Sequence, residues 1–508
     1  MARLSPLVEH LYRRAGFGLS PADRQQFAAY TPVTSPRTGR TVSPGTGGAS
    51  YREVVESLVN YNAAAADVDA RIGTPGHVNI TTVGPFIPNR DIGHARQRWL
   101  FRMVHSPAPL QEKMALIWHH HFATAVSKIA GVYGPLDSTR LMAAKPSEDP
   151  VRQRGQIELF RQYALGNFRD LLIAVAQDPA MLVWLDGVTN FKRQPQENFG
   201  RELMELFTFG VEHYTESDVY AAARVFTGWN LQTTGTIGSG NATFRFLYNP
   251  AEHDTAAKDF SFRIYYSRRS GGSGQIPART SSAGIQDGLD LINALAFHPE
   301  TARRMARRLW VWFVSETEVP DDRFVRSIAQ VYLNNNTNMR AVMRAVLMSS
   351  QFQDSRSHFK RYAWPAEYVV RALKEVGYLG FSVNDAATQM VGMGQQLFEP
   401  PDVNGWDIGP LWFSTGAMLA RMNFASSLVT NQRVALREAA RPFKATPESL
   451  VGFGYDTLTL PTPHLAETTA VADYVRMGGT WTGSDTQLLA KAAGVIHLLA
   501  GTGEYQFV

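Results

Sequence analysis

The chain has 508 residues, 44% hydrophobic and 19% charged, so it carries enough apolar side chain for a sizeable buried core. It contains no cysteine, which excludes disulfides, thiolate metal sites and a cysteine nucleophile. The formal net charge of +5 is mild for this length, and no concentrated basic tract of the kind that grips nucleic acid is present.

The opening stretch MARLSPLVEHLYRRAGFG has no apolar region of the signal-peptide kind, and no run of about 18 apolar residues predicts a transmembrane helix. A helix ending at Gly16 is followed by a second helix capped at Ser20-Pro21. Residues 31–50, rich in Thr, Ser, Pro and Gly, are expected to form a surface loop. Helical periodicity returns over 51–72, a loop spans 73–90, and two long helices broken at HSPAP run from Asp91 to about Thr124. Residues 128–150 read as irregular, and helices resume over 151–184. Alternating Phe244, Phe246 and Tyr248, then Phe260, Phe262 and Ile264, between Gly/Ser clusters predict short strands within 231–280. Helices dominate again from 283 to 378, among them HPETARRMARRLWVWFV, whose arginines are expected on the outer face. A Gly/Pro/Trp-rich loop covers 394–416. The expected fold is mainly α: a large helical domain in two parts, 1–230 and 281–508, with a small β-hairpin insertion at 231–280.

ALIWHHHFAT holds three consecutive histidines. On a helix starting at Pro109, His121 falls on the apolar stripe with Ile117 and Trp118, whereas His119 and His120 fall away from it. Adjacent helical residues are about 100° apart, so the three cannot serve one metal from a regular helix. The i,i+4 spacing of an HExxH site is absent. His121 alone is read as a core histidine hydrogen-bonded to a neighbour, or as one ligand of a site completed from elsewhere.

The complementary polar face lies in QENFGRELMELFTFGVEHYTESDVYAAARVFTGW. Asn198, Glu202, Glu205 and Phe209 share one face of a helix stopped by Gly210. Two carboxylates a turn apart can clamp a cation or share an acid/base task, and the alternative is a salt-bridged face neutralised by Arg201. Thr215 caps the next helix, with Asp218 completing a capping box. Arg224, set among Ala, Val and Phe, requires a carboxylate, for which Glu202 or Glu205 is expected. In NPAEHDTAAKDF, His253 and Asp254 either face a cleft or form a capped turn. Trp406 and Trp412 in FEPPDVNGWDIGPLW either present a platform to sugar rings or pack over the helices. GxSxG, P-loop and GxGxxG signatures are absent.

LYRRAGFG, WHHHF, NFGRELMELFTFGVEHYTESDV, ARVFTGW, HDTAAKDF and PPDVNGWDIGPLW, in this order, resemble the large bacterial family of unknown function DUF1800 from about Leu11 to the C-terminal EYQFV. The family pattern picks out His119, His121, Glu202, Glu205, Arg224, His253 and Asp254, among others. The resemblance implies an extracytoplasmic setting for many relatives and a partner from the DUF1501 family, whose members resemble alkaline-phosphatase-type enzymes. The expected function is an enzyme with Glu202, Glu205, Arg224 and Asp254 in catalysis and His119, His121 and His253 as ligands of a divalent metal. Nitrogen and oxygen ligands suit zinc, iron or manganese. Hydrolysis of an envelope or polysaccharide substrate is the chemistry that the resemblance suggests through its family setting. Two alternatives stand beside it: a non-catalytic binding or assembly protein with a buried polar network, and a metal-free glycoside-acting enzyme using two carboxylates.

Overall fold

The computed structural model describes residues 4–28, 50–62, 67–266, 272–378, 382–461 and 465–508. Apart from Ser50, the loop expected at 31–50 lies outside the described residues. Among them, 59% of the chain is helical, and the only sheets are two antiparallel two-stranded ones. No helix among them is long and apolar enough to cross a membrane.

The helix Pro109–His121, here the histidine helix, runs through the centre. All of its residues are buried, including Glu112 and Lys113. Such a helix has no solvent face, so an amphipathic reading misplaces His119 and His120, which are buried with His121. Its buried charges are matched from other helices: Lys113 by Glu367, and Glu112 by Arg161 at 2.8 Å. Packed around it, one continuous apolar cluster reaches from Leu4 near the N-terminus to Val508.

Two sequence expectations are corrected here. Residues 126–143 are helical, with a break at Gly134 (φ 75°) before Pro135. Those two residues give the segment its irregular look, yet they only divide it. Of the two alternating runs, Phe244–Tyr248 is strand and Phe260–Ile264 is not. Strand β1 (Trp229–Thr234) pairs antiparallel with β2 (Thr243–Tyr248), Trp229 opposite Tyr248. The second pair is only β3 (Lys258–Asp259) with β4 (Gln275–Ile276), while Phe262 lies in a bend between them. The hairpin is fastened to the helical body through backbone groups: Phe244 N donates to Gln153 Oε1 at 3.1 Å, and Arg140 donates to the Ala242 carbonyl at 2.6 Å.

Two helices contain a π-helical turn. The glutamate helix is α-helical over Asn198–Glu202 and π-helical over Leu203–Phe207. The arginine helix is α-helical over Pro299–Leu309 and π-helical over Trp310–Val314. A π turn shifts the backbone hydrogen bonds by one residue and frees carbonyls for other donors. Both turns lie where these helices meet the end of the histidine helix.

Candidate anion-binding cleft

The three histidines at the end of the histidine helix face three different surroundings. His119 Nε2 accepts the Phe398 amide at 3.1 Å, and its ring stands edge-on to Trp99 and Trp406. Phe398 has a left-handed backbone (φ 64°), which a bulky residue adopts only when its surroundings hold it there. His120 Nδ1 accepts the Trp406 amide at 3.2 Å, and its ring lies edge-on to Trp364. His121 Nε2 donates to the Phe207 carbonyl at 3.1 Å, and its Nδ1 accepts from Arg308. Burial pushes His119 and His120 down to about 3, and His121 well below its ordinary value with help from Arg308, so all three are neutral at ordinary pH.

Arg308 begins a feature that sequence reading assigned to the outer face. Positions 304, 307 and 308 are neighbours at i, i+3 and i+4. With His120, Trp312 and Trp406 they line a cleft of about 520 Å³. Arg303 does face outward and pairs with Glu300, but Arg304 and Arg308 are half-buried. Arg304 donates to the Glu205 carbonyl, and Arg308 to His121 and across the face of Trp312, 5.8 Å from its ring centroid. Among the described residues no carboxylate stands within salt-bridge reach of Arg304, Arg307 or Arg308, the nearest acidic ion pair on this helix being that of Glu300 with Arg303. Burial and Arg304 pull the Arg308 guanidinium down to about 9. A second carboxylate-lacking guanidinium beside it compounds this cost. One carboxylate, Asp407, lies exposed on the lining.

The closing wall comes from the loop before Thr415. Gly405 has φ 90°, and a Cβ there would stand 2.5 Å from His120 Nδ1 and 2.6 Å from the His120 carbonyl. Only glycine lets this backbone press on the histidine helix, and that contact seats Trp406 on the cleft.

The glutamate helix reaches the same region through its π turn, whose Glu205 and Phe207 carbonyls take the Arg304 and His121 donors. Its acidic side chains are only partly engaged. Glu205 accepts from Tyr214, and Asn198 donates to Asp186 at 2.7 Å. Glu202 is half-buried, and no hydrogen bond or ion pair to it is present among the described residues. Burial first, then the Glu205 charge, push its carboxyl up to about 7. Arg201 pairs with Glu216 at 2.7 Å and Glu197 at 3.3 Å.

Arg224 corrects the expectation made for it. The helices pack antiparallel, since Glu205 meets Tyr214, Arg201 meets Glu216 and Gly200 meets Ala222. Arg224 lies two residues past Ala222, about 200° around the helix, so it turns away from the glutamates. Its partner is Asp254 (Nε to Oδ2, 2.7 Å), which also caps its own turn through the Ala256 amide. The thiol-free metal constellation is not assembled either. His253 bonds the Thr227 carbonyl at 2.9 Å and Asp287 at 3.2 Å, in a closed network where Asp287 also receives Lys258 and Arg279. His119, His121 and His253 thus sit in separate environments with ring nitrogens engaged. Among the described residues no three His, Asp or Glu side chains converge on a point where a metal ion could be held. The present donor set does not fit the expected metal.

Fold and site together define a mainly helical protein with an arginine- and tryptophan-lined cleft at the end of a buried histidine helix. The chain belongs to the DUF1800 family, described as a protein of unknown function, whose match covers residues 10–507. Comparison with curated proteins and with solved structures finds no match.

Proposed function

We propose that this protein binds an anionic ligand with a flat ring face, of the acidic-sugar class, in the cleft formed by Arg304, Arg307, Arg308, Trp312 and Trp406. The observation that carries the reading is three neighbouring guanidiniums without a carboxylate partner on the wall of a cleft that also holds two tryptophans. Guanidiniums recognise carboxylate, sulfate or phosphate groups through paired donors, and the buried indoles of Trp312 and Trp406 give the cleft an apolar base. Isothermal titration with glucuronate against glucose tests it. Glucuronate is expected to bind and glucose is not, and equal behaviour of the two sugars rejects the reading.

A second reading, cleavage of a glycosidic bond, is favoured by Glu202 and Glu205. A carboxyl held protonated to about pH 7 beside a second carboxylate is the pairing that acid-assisted glycoside hydrolysis uses. Arg304, which lines the cleft, also bonds the Glu205 backbone carbonyl, and this link supports a reading that joins the two. Incubation with glucuronate-containing oligosaccharides, followed by product analysis, tests this reading. Products formed by the wild type and lost in Glu202→Gln support it; intact oligosaccharide throughout rejects it.

A further inference from the structure

The arginine cleft does not end at Trp406. A second cleft of about 360 Å³ shares Trp406, Asp407 and Leu411 with it and continues past Trp412 to the start of the helix Thr415–Asn431. Of the shared residues, Trp406 is buried, whereas Asp407 and Leu411 are exposed and Leu411 is 64% accessible. These three residues form the sill between the two compartments, with the buried indole of Trp406 at its base.

The two compartments differ in charge. Three arginines line the first. Among the described residues the second has no arginine or lysine on its wall. It is lined by Gly392, Gly394, Ser414 and Gly416 together with Trp412, and among the described residues its only charged lining residue is Asp407 on the sill. Asp407 lines both compartments, but arginines offset its charge only in the first, so a second anionic group is disfavoured in the second, while the glycines there leave room for an uncharged ring.

From this we infer that the ligand is an oligosaccharide in which an acidic unit is followed by a neutral one, the acidic unit in the arginine compartment and the neutral unit across the sill among Gly392, Gly394 and Gly416. The inference rests on the acidic-sugar reading and narrows it from a single unit to an alternating chain. Two linked units gain over one because the second binds without a further loss of translational freedom.

Titration calorimetry with three probes tests it: glucuronate, an alternating glucuronate–N-acetylglucosamine tetrasaccharide, and tetragalacturonate, which carries an acid on every unit. The alternating tetrasaccharide is expected to bind about tenfold or more tighter than glucuronate, and tighter than tetragalacturonate. Gly416→Leu adds bulk to the lining of the second compartment and leaves that of the first untouched. A Cβ at this position meets nothing within 4 Å, and leucine favours the helix more than glycine does. In this variant the tetrasaccharide should fall to the affinity of glucuronate, with glucuronate itself unchanged. Equal binding of tetragalacturonate and the alternating chain overturns the inference, as does a tetrasaccharide affinity that Gly416→Leu leaves intact. Glucuronate binding with no gain on lengthening overturns this inference alone. Failure of every probe to bind overturns it together with the acidic-sugar reading.

Discussion

Asp287→Asn removes a charge while keeping the shape, and it strikes the network that joins the hairpin segment to the helices. The Asp287 side chain is fully buried and receives Lys258 at 2.6 Å, Arg279 at 2.5 Å and His253 at 3.2 Å. The three donors differ in what remains to them. Arg279 keeps Asp290 at 2.5 Å, and His253 keeps the Thr227 carbonyl at 2.9 Å. Lys258, with 0% of its side chain exposed, keeps, among the described residues, only the Asp254 carbonyl and no ion-pair partner. A buried charge stripped of its partner costs about 3–5 kcal/mol, and the loss should fall at the upper end of what one substitution causes. Urea unfolding measures it, with hydrogen exchange over 253–287 reporting whether this segment opens first. Adding Lys258→Met should recover most of the loss, because the orphaned ammonium is then gone. A change below about 1 kcal/mol, or no recovery in the double variant, would refute the hub role. Burial raises the Asp287 carboxyl, but hydrogen bonds from His253, Lys258 and Arg279 outweigh this and hold it below the ordinary carboxylate range. Its contribution is therefore complete above the unfolded value of about 3.9 and is lost only as pH falls through the lower folded value.

Further outcomes follow from the same geometry. Gly405→Ala must place a Cβ 2.6 Å from a backbone carbonyl at a left-handed position, so thermal and urea unfolding should show a loss of about 2–5 kcal/mol; a neutral result would mean the loop is not pressed on the histidine helix. Glu202 titrates the opposite way to Asp287: its folded carboxyl is raised to about 7, so the folded state holds more protons and stability falls as pH rises from about 4.3 towards 7. Glu202→Gln should consequently match the wild type near pH 4 and exceed it at pH 8 by about 1 kcal/mol, after allowing for solvent screening of a half-buried group, and urea midpoints at the two pH values decide this. Chelation should leave the melting temperature unchanged, since His119, His121 and His253 already bond other protein groups in separate places; a drop with EDTA that zinc restores would contradict this.

Local signals were readable in the sequence, and directions were not. The Thr215–Asp218 capping box is present in both halves, because a cap depends on residues three apart. Pro109 does open the histidine helix, and His121 does approach the glutamate helix, though through the Phe207 carbonyl rather than a carboxylate. His119 and His253 do not join it there, because they turn to Phe398 and Asp287. The need of Arg224 for a carboxylate is visible in the sequence, but its helix face, turned from the glutamates, directs it to Asp254. The inward placement of Arg304 and Arg308 is not legible for a different reason. An arginine-rich helix face normally meets water, and only the return of Gly405 and Trp406, about a hundred residues later, converts this one into the wall of a cleft. No periodicity along one helix carries that information.

The central claim is that the arginine cleft receives an acidic group, and Arg307 tests it with the least risk to the fold, being exposed and without an ion pair among the described residues. The measurement is the glucuronate affinity of the wild type and of Arg307→Ala by titration calorimetry, at low and at high salt. A charged hydrogen bond contributes about 1.5–3 kcal/mol, so the variant should bind about tenfold or more weakly, and wild-type binding should weaken as salt rises. Wild-type binding that is absent, or that neither salt nor the loss of Arg307 changes, would contradict the account.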